Sequence, residues 1–157
     1  MQPEKDLKCR ALRLLRTREY SRLELERKLI PLELRPGTLA LVLDDLQAKG
    51  YISDNRVLES VINRRAAKQG SVRIRQELQA RGLASQAVAQ AVTALRVTEV
   101  ARAQQIWRKK YTVAGGRDLV FQDLSLSERS KQVRFLLSRG FTMETIRQVI
   151  ASPDDAD

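Results

Sequence analysis

Histidine is absent from this chain of 157 residues, and cysteine occurs once, at Cys9. Without an imidazole the chain cannot build a Ser-His or Cys-His catalytic pair, a His-carboxylate iron site or a Cys/His zinc finger. With one thiol it cannot close an intramolecular disulfide, which fits a reducing compartment, and Cys9 reads as a small buried apolar residue on the first helix. Aromatics are sparse, with three Phe, three Tyr and Trp107, so Leu, Val, Ile and Ala must fill the core. No run approaches the roughly eighteen apolar residues of a membrane span, and the opening Met1-Gln-Pro-Glu-Lys-Asp lacks the apolar stretch of a secretion signal. A cytosolic location is expected.

What is present is a folded, basic composition. Apolar residues make up 43% of the chain and charged residues 31%, too apolar for disorder and too charged for a membrane protein. The formal net charge is +10. It is uneven: residues 1–50 hold eleven basic against eight acidic side chains, 51–97 eight against three, and 98–157 ten against eight. Between Arg64 and Arg81 stand Arg64, Arg65, Lys68, Arg73, Arg75 and Arg81 with a single acid, Glu77. Five of the six are arginine, whose planar fork suits phosphate or carboxylate. This run is the expected partner- or nucleic-acid-binding set.

Periodicity is helical almost throughout, as in Leu39, Val42, Leu43 and Leu46 or Ile146, Val149 and Ile150. Ser21-Arg-Leu-Glu24 and Ser125-Leu-Ser-Glu128 are capping boxes. Gly50, Gly82 and Gly140 fall where helices end in a left-handed residue, and Pro31, Pro36 and Gly37 break the pattern between two helices. Nine helices are predicted, near 4–18, 21–31, 37–50, 53–69, 71–82, 85–96, 97–111, 124–140 and 142–152. Thr112 to Asp123 reads as a loop. Its Gly115-Gly116-Arg117-Asp118 follows a helix and lacks the spacing of a phosphate-binding fingerprint.

An internal repeat organises these helices. Shifts of 49 and then 58 residues superpose Leu29 on Leu78 and Leu136, Leu34 on Leu83 and Phe141, Leu39 on Val88 and Ile146, Val42 on Ala91 and Val149, and Leu43 on Val92 and Ile150. Arg81-Gly82-Leu83 matches Arg139-Gly140-Phe141, whereas the first copy has Glu33 in place of the glycine. The expected fold class is all-α, with nine helices as three tandem three-helix repeats forming an elongated, curved array. The expected boundaries are 1–52, 53–96 (the most basic) and 97–157, the last with the loop 112–123 and an acidic tail. Such an array suits lying along another polymer more than enclosing a small substrate.

These pieces resemble a family. Arg10-Ala-Leu-Arg-Leu-Leu with Arg18-Glu-Tyr-Ser21 and Leu25, Lys49-Gly-Tyr-Ile-Ser-Asp54 with Arg56, Arg73-Ile-Arg-Gln-Glu-Leu78 with Arg81-Gly82-Leu83, and Arg134-Phe-Leu-Leu-Ser-Arg-Gly-Phe141 are together similar to the RecX family of bacterial recombination regulators, from about Lys8 to Ile150. The resemblance implies a monomeric, non-catalytic protein that binds the RecA recombinase. It would lodge in the groove of the RecA–DNA filament and inhibit ATP hydrolysis, strand exchange and the coprotease activity behind the SOS response. It also implies binding to single- and double-stranded DNA, and no cofactor, metal or membrane. The chain departs from the family at Lys68-Gln69-Gly70-Ser71, where Gly-Tyr-Gly-Pro is common, and at Ser53-Asp54-Asn55-Arg56-Val57, where Asp-Asp-x-Arg-Phe is usual.

Spacing also constrains the remaining candidates. Ile74 and Leu78 pointing inward would turn Arg73, Arg75 and Arg81 to solvent. A second basic set, Arg108, Lys109, Lys110, Arg129, Lys131, Arg134 and Arg139, is interspersed with Glu99, Asp118, Asp123 and Glu128, so internal ion pairing competes with partner binding there. Val97, Val100, Trp107 and Tyr111 fall on one helical stripe and read as core, as do Leu83, Phe135 and Phe141. Asp44, Asp45 and Asp54 lack the register of a metal site. Two other function classes remain: a helix-turn-helix DNA-binding transcriptional protein, which would normally carry one such unit and dimerise, and a structural adaptor.

Overall fold

The computed structural model describes residues 3–111 and 124–151, and the predicted loop 112–123, with Gly115 and Gly116, and the acidic tail lie outside them. Among the described residues there are nine α-helices and no strand. They are α1 (Pro3–Leu15), α2 (Arg22–Leu29), α3 (Thr38–Ala48), α4 (Asp54–Arg65), α5 (Ser71–Ala80), α6 (Ser85–Val97), α7 (Glu99–Tyr111), α8 (Leu126–Ser138) and α9 (Met143–Ala151). A 3₁₀ turn, Ile30–Leu32, follows α2. The helices form three tandem three-helix units. In each, the first helix packs on the third or second: α1 on α3, α4 on α5, α7 on α9.

Local chemistry sets the helix ends. Both expected capping boxes form: the Glu24 amide donates to Ser21 Oγ at 3.2 Å and the Ser21 amide to Glu24 Oε2 at 2.9 Å, and Ser125 and Glu128 repeat the exchange. After α5, Gly82 turns left-handed at φ 76°, and the Gly82 and Leu83 amides donate back to the Gln79 and Leu78 carbonyls. Gly140 and Phe141 do the same after α8, donating to Leu137 and Leu136, and Gly50 and Tyr51 after α3, donating to Gln47 and Leu46. This is the glycine-dependent Schellman closure, in which the residue beyond the glycine folds back over the helix. It buries Leu83 on Leu78 and Phe141 on Leu136.

The first copy lacks that glycine and turns differently. Helix α2 runs into the Pro31-containing 3₁₀ turn, and the left-handed residue moves to Gly37, just before α3. Glu33, standing where the glycine would be, accepts the Leu39 amide at 2.8 Å and so caps α3. Leu34 is therefore 79% exposed, and the repeat column it was expected to share with Leu83 and Phe141 does not hold in the first unit.

Buried side chains fall into three clusters. Leu7, Ala11, Leu25, Leu29, Leu39, Leu43 and Leu46 centre the first; Val57, Val61, Ile74, Leu78, Val88 and Val92 the second; and Ala103, Leu136, Phe141, Ile146 and Val149 the third. Trp107 packs against the third cluster and donates its indole N–H to Gln132 Oε1 at 2.8 Å. Two core expectations are corrected. Cys9 is exposed, because Leu7 and Ala11 take the inner face of α1 and position 9 falls on the other side. Val97 is 84% exposed at the end of α6, so the stripe of α7 begins at Val100.

The units join end to end through their second helices. The C-terminal carbonyls of α8 meet the N-terminus of α5: the Gly70 amide donates to Arg139 O at 2.8 Å and the Val72 amide to Gly140 O at 3.1 Å. A Cβ at Gly70 would lie 2.3 Å from Gly140 O, so this contact requires glycine. Glu99, 3% exposed, completes the cap by accepting the Ser71 amide at 2.8 Å and the Ser71 hydroxyl at 2.7 Å. Arg102 donates to the Ala66 and Gln69 carbonyls beyond α4 at 2.9 and 2.8 Å. At the other junction, the C-terminal carbonyls of α5 meet the first unit, where the Ser21 hydroxyl donates to Arg81 O and Arg27 to Ala80 O.

Leu78 is wholly buried at the centre of the second cluster. Leu78→Ala is expected to lower unfolding free energy by about 2–5 kcal/mol, measured by urea denaturation; a negligible loss would contradict the core assignment.

Candidate polyanion interface

The structure divides the six basic residues of the second unit into two groups. Helix α5 presents Ile74 and Leu78 to the core and leaves Arg73 and Arg75 exposed. Arg75 shares a cleft of about 330 Å³ with Arg96 of α6, rimmed by Ser71, Gln76 and Gln79. Lys68 stands exposed on the turn between α4 and α5. Among the described residues, no acid pairs with Lys68, Arg73 or Arg75.

Arg64, Arg65 and Arg81 converge instead on Glu77. The distances are 3.2 Å from Arg64, 2.9 Å from Arg65 and 2.9 Å from Arg81. Arg81 also reaches Glu24 of the first unit at 3.4 Å, and its side chain is only 14% exposed. The expectation that α5 turns Arg81 to solvent is thus wrong: Arg81 follows the last turn of α5, where the neighbouring unit covers it. Glu24 further pairs with Arg18 at 2.9 Å, and the Arg18 guanidinium lies 3.6 Å from the Tyr20 ring centroid.

These contacts set the two carboxylates' acidity. Burial pushes both upward, but hydrogen bonds outweigh it and hold both below the usual glutamate range. The donors are Arg18 and the Ser21 amide for Glu24, aided by the charge of Arg81, and Arg81 and Arg65 for Glu77.

In the third unit the two interspersed acids among the described residues are engaged elsewhere. Glu99 caps α5, Glu128 caps its own helix, and Asp118 and Asp123 lie outside the described residues. Arg129 donates to Leu124 O and Arg134 to Ser130 O, and Lys131 is exposed. Arg108, Lys109 and Lys110 end α7. Lys110 Nζ sits 4.0 Å from the Phe135 ring centroid and the Arg139 guanidinium 5.2 Å from it. Tyr111 meets Phe135 edge-on at 5.7 Å. Phe135, expected in the core, is half-buried and lines an open cleft of about 280 Å³ between the second and third units with Ala67, Lys68, Ile106, Lys109, Lys110 and Arg139.

Sequence reasoning missed Arg96, because α6 offers no other cation to mark it, and it missed the meeting of Lys68 with Lys109, Lys110 and Arg139 across a unit boundary. The acids weighed as metal ligands are otherwise engaged. Asp44 pairs with Arg22, Asp45 with Lys8 and Lys49, and Asp54 opens α4. No helix among the described residues is long and apolar enough to cross a membrane.

Comparison with known proteins follows the same division into units. A family model described as RecX, second three-helix domain, matches residues 53–92, and one described as RecX, third three-helix domain, matches residues 98–150. Regulatory protein RecX of Leptothrix cholodnii is 42% identical over 97% of this chain and 92% of its own. That of Ralstonia pickettii is 36% identical over 95% and 89%. The crystal structure of RecX from Lactobacillus salivarius superposes with a TM-score of 0.77 at 19% identity, covering 97% of both chains, and carries the likeness of fold.

The depressed acidity of Glu24 and Glu77 predicts a pH dependence. A carboxylate whose folded pKa lies below its unfolded value stabilises the fold above the unfolded value, and that contribution is lost as pH falls through the folded value. Unfolding free energy should therefore drop as pH falls below about 4.3, and Glu24→Gln with Glu77→Gln should flatten that drop. Equal slopes in wild type and double variant, read from urea midpoints across pH, would contradict it.

Proposed function

The chain belongs to the RecX family of regulatory proteins, and from that premise we propose that it binds the RecA recombinase on DNA and inhibits its ATPase, strand-exchange and coprotease activities. In this reading it regulates recombination, repair and the SOS response in the cytoplasm as a monomer. The observation that carries the reading is a serial helical array whose middle unit presents Lys68, Arg73 and Arg75 with no ion-pair partner among the described residues. Three units in line can follow successive subunits or phosphates of a filament, whereas a pocket enzyme would need a single enclosed site. Unpaired exposed cations speed encounter with a polyanionic filament and make the association salt-sensitive. Arg64, Arg65 and Arg81, being paired within the fold, contribute to its junctions rather than to the partner.

Purified protein is expected to suppress RecA-catalysed, single-strand-dependent ATP hydrolysis and LexA cleavage at well below one molecule per RecA. Lys68→Ala, Arg73→Ala and Arg75→Ala combined should raise the half-inhibitory concentration roughly tenfold or more, in line with three lost phosphate or carboxylate contacts. Arg64→Ala with Arg65→Ala should raise it less. No effect of wild type on either RecA activity would sink the reading.

A further inference from the structure

The two unit junctions are built on the same plan but differ in how their cations are paired. The repeat shifts place Gly70 on Ser21 and Arg139 on Arg81, and the structure uses both pairs alike: the Ser21 hydroxyl meets Arg81 O, and the Gly70 amide meets Arg139 O. At the first junction the Arg81 guanidinium lies between two acids, Glu77 one turn back on its own helix and Glu24 of the neighbouring unit. The same shifts put Phe135 in place of Glu77, Arg73 in place of Glu24 and Lys68 in place of Glu19. Arg139 therefore rests on an aromatic ring at 5.2 Å where its counterpart has a carboxylate. Arg73 packs against Gly140 beside it, such that a Cβ on that glycine would lie 2.7 Å from Arg73 Cβ.

Two further cations converge on this junction. Lys109 and Lys110, from the end of α7, line the same 280 Å³ cleft as Lys68, Phe135 and Arg139. Among the described residues no carboxylate lines it, and none of Lys68, Arg73, Lys109, Lys110 or Arg139 is in an ion pair. Like charges gathered in a concavity repel one another and focus a positive potential outward. A fold that neutralises the equivalent arginine with two acids at one junction, and with none at the next, leaves the second open to an external anion.

We propose that this cleft between the second and third units is a binding site for the phosphodiester backbone of a nucleic acid. The part-buried Arg139 would contact phosphate within it, and the exposed Lys68, Lys109 and Lys110 at its rim. A nucleic acid fits better than an acidic peptide, because the lining gathers four cations around the half-buried Phe135 ring and offers no acceptor side chain for the N–H groups of a peptide. The site deepens the reading of a protein acting on a nucleoprotein filament by naming where it touches the nucleic acid, and it stands on geometry that does not involve the recombinase.

The test uses the full chain and a fluorescent single-stranded oligonucleotide, with no RecA present. Lys68→Gln, Lys109→Gln and Arg139→Gln together should weaken binding roughly tenfold or more and flatten the salt slope by about 2 log units per log unit, the value for three lost single-strand contacts. A control with equal charge loss, Arg13→Gln, Lys28→Gln and Arg147→Gln, should retain most of the affinity and slope. Near-ultraviolet circular dichroism reports whether each variant is folded, and Lys109→Gln alone, at the exposed rim, gives a smaller loss of the same sign. Wild-type binding that is absent, or that falls equally in cleft and control variants, overturns the site, as does displacement of the oligonucleotide by polyglutamate more readily than by polyphosphate. Inhibition of RecA ATP hydrolysis is measured separately. Its absence in wild type would refute the recombinase reading while leaving the cleft standing, and unchanged DNA binding in the cleft variant would do the reverse.

Discussion

Helix ends leave backbone groups without partners, and in this chain the second helix of one unit ends where the second helix of the preceding unit begins. Carbonyls of Arg139 and Gly140 at the end of α8 accept the Gly70 and Val72 amides at the start of α5, and the carbonyls of Ala80 and Arg81 at the end of α5 are taken by Arg27 and Ser21 of the first unit. Negative and positive helix poles are thereby brought together at each joint. Because all of these contacts but that of Arg27 are made by backbone or by a short side chain, little freedom remains in how the units are set against one another. Gly70 leaves no room for a Cβ at the second joint. At the first, a Cβ on Gly82 would fall 2.4 Å from the Leu23 side chain.

Around this shared scaffold the side chains decide what each joint can do. At the first, Glu24 and Glu77 between them pair with Arg18, Arg64, Arg65 and Arg81. It is a structural seam whose charges are largely answered within the fold. The second is fastened by the buried Glu99, which holds the start of α5, and by Arg102, which holds the end of α4. Its remaining cations face a cleft. Net charge alone would have ranked the middle of the chain as one uniform basic patch, yet half of that patch is internal wiring.

Much of the fold was legible because its determinants are local. Capping boxes at Ser21 and Ser125, and glycines after α3, α5 and α8, act over four to six residues, so their consequences can be read without knowing the tertiary structure. The repeat was legible for the same reason, since buried positions such as Leu29, Leu78 and Leu136 recur at one spacing. Leu34 escaped, because the effect of replacing a glycine by Glu33 depends on where the rerouted chain finds its next left-handed residue. Cys9 escaped because the apolar character of a thiol was put before register: Leu7 and Ala11, two residues to either side, set the inner face of α1.

The helices, their grouping in threes, the basic excess and the family likeness can all be read from the chain alone, because each depends on neighbours a few residues apart or on spacing repeated along it. Which cations are paired and which are left open follows from packing in three dimensions. Arg81 and Glu24 are 57 residues apart in the chain and in contact in space, and Lys68 meets Arg139 only because two helix ends abut. Charge pairing follows distance in three dimensions, and no periodicity encodes the partner an arginine will find across a joint between units.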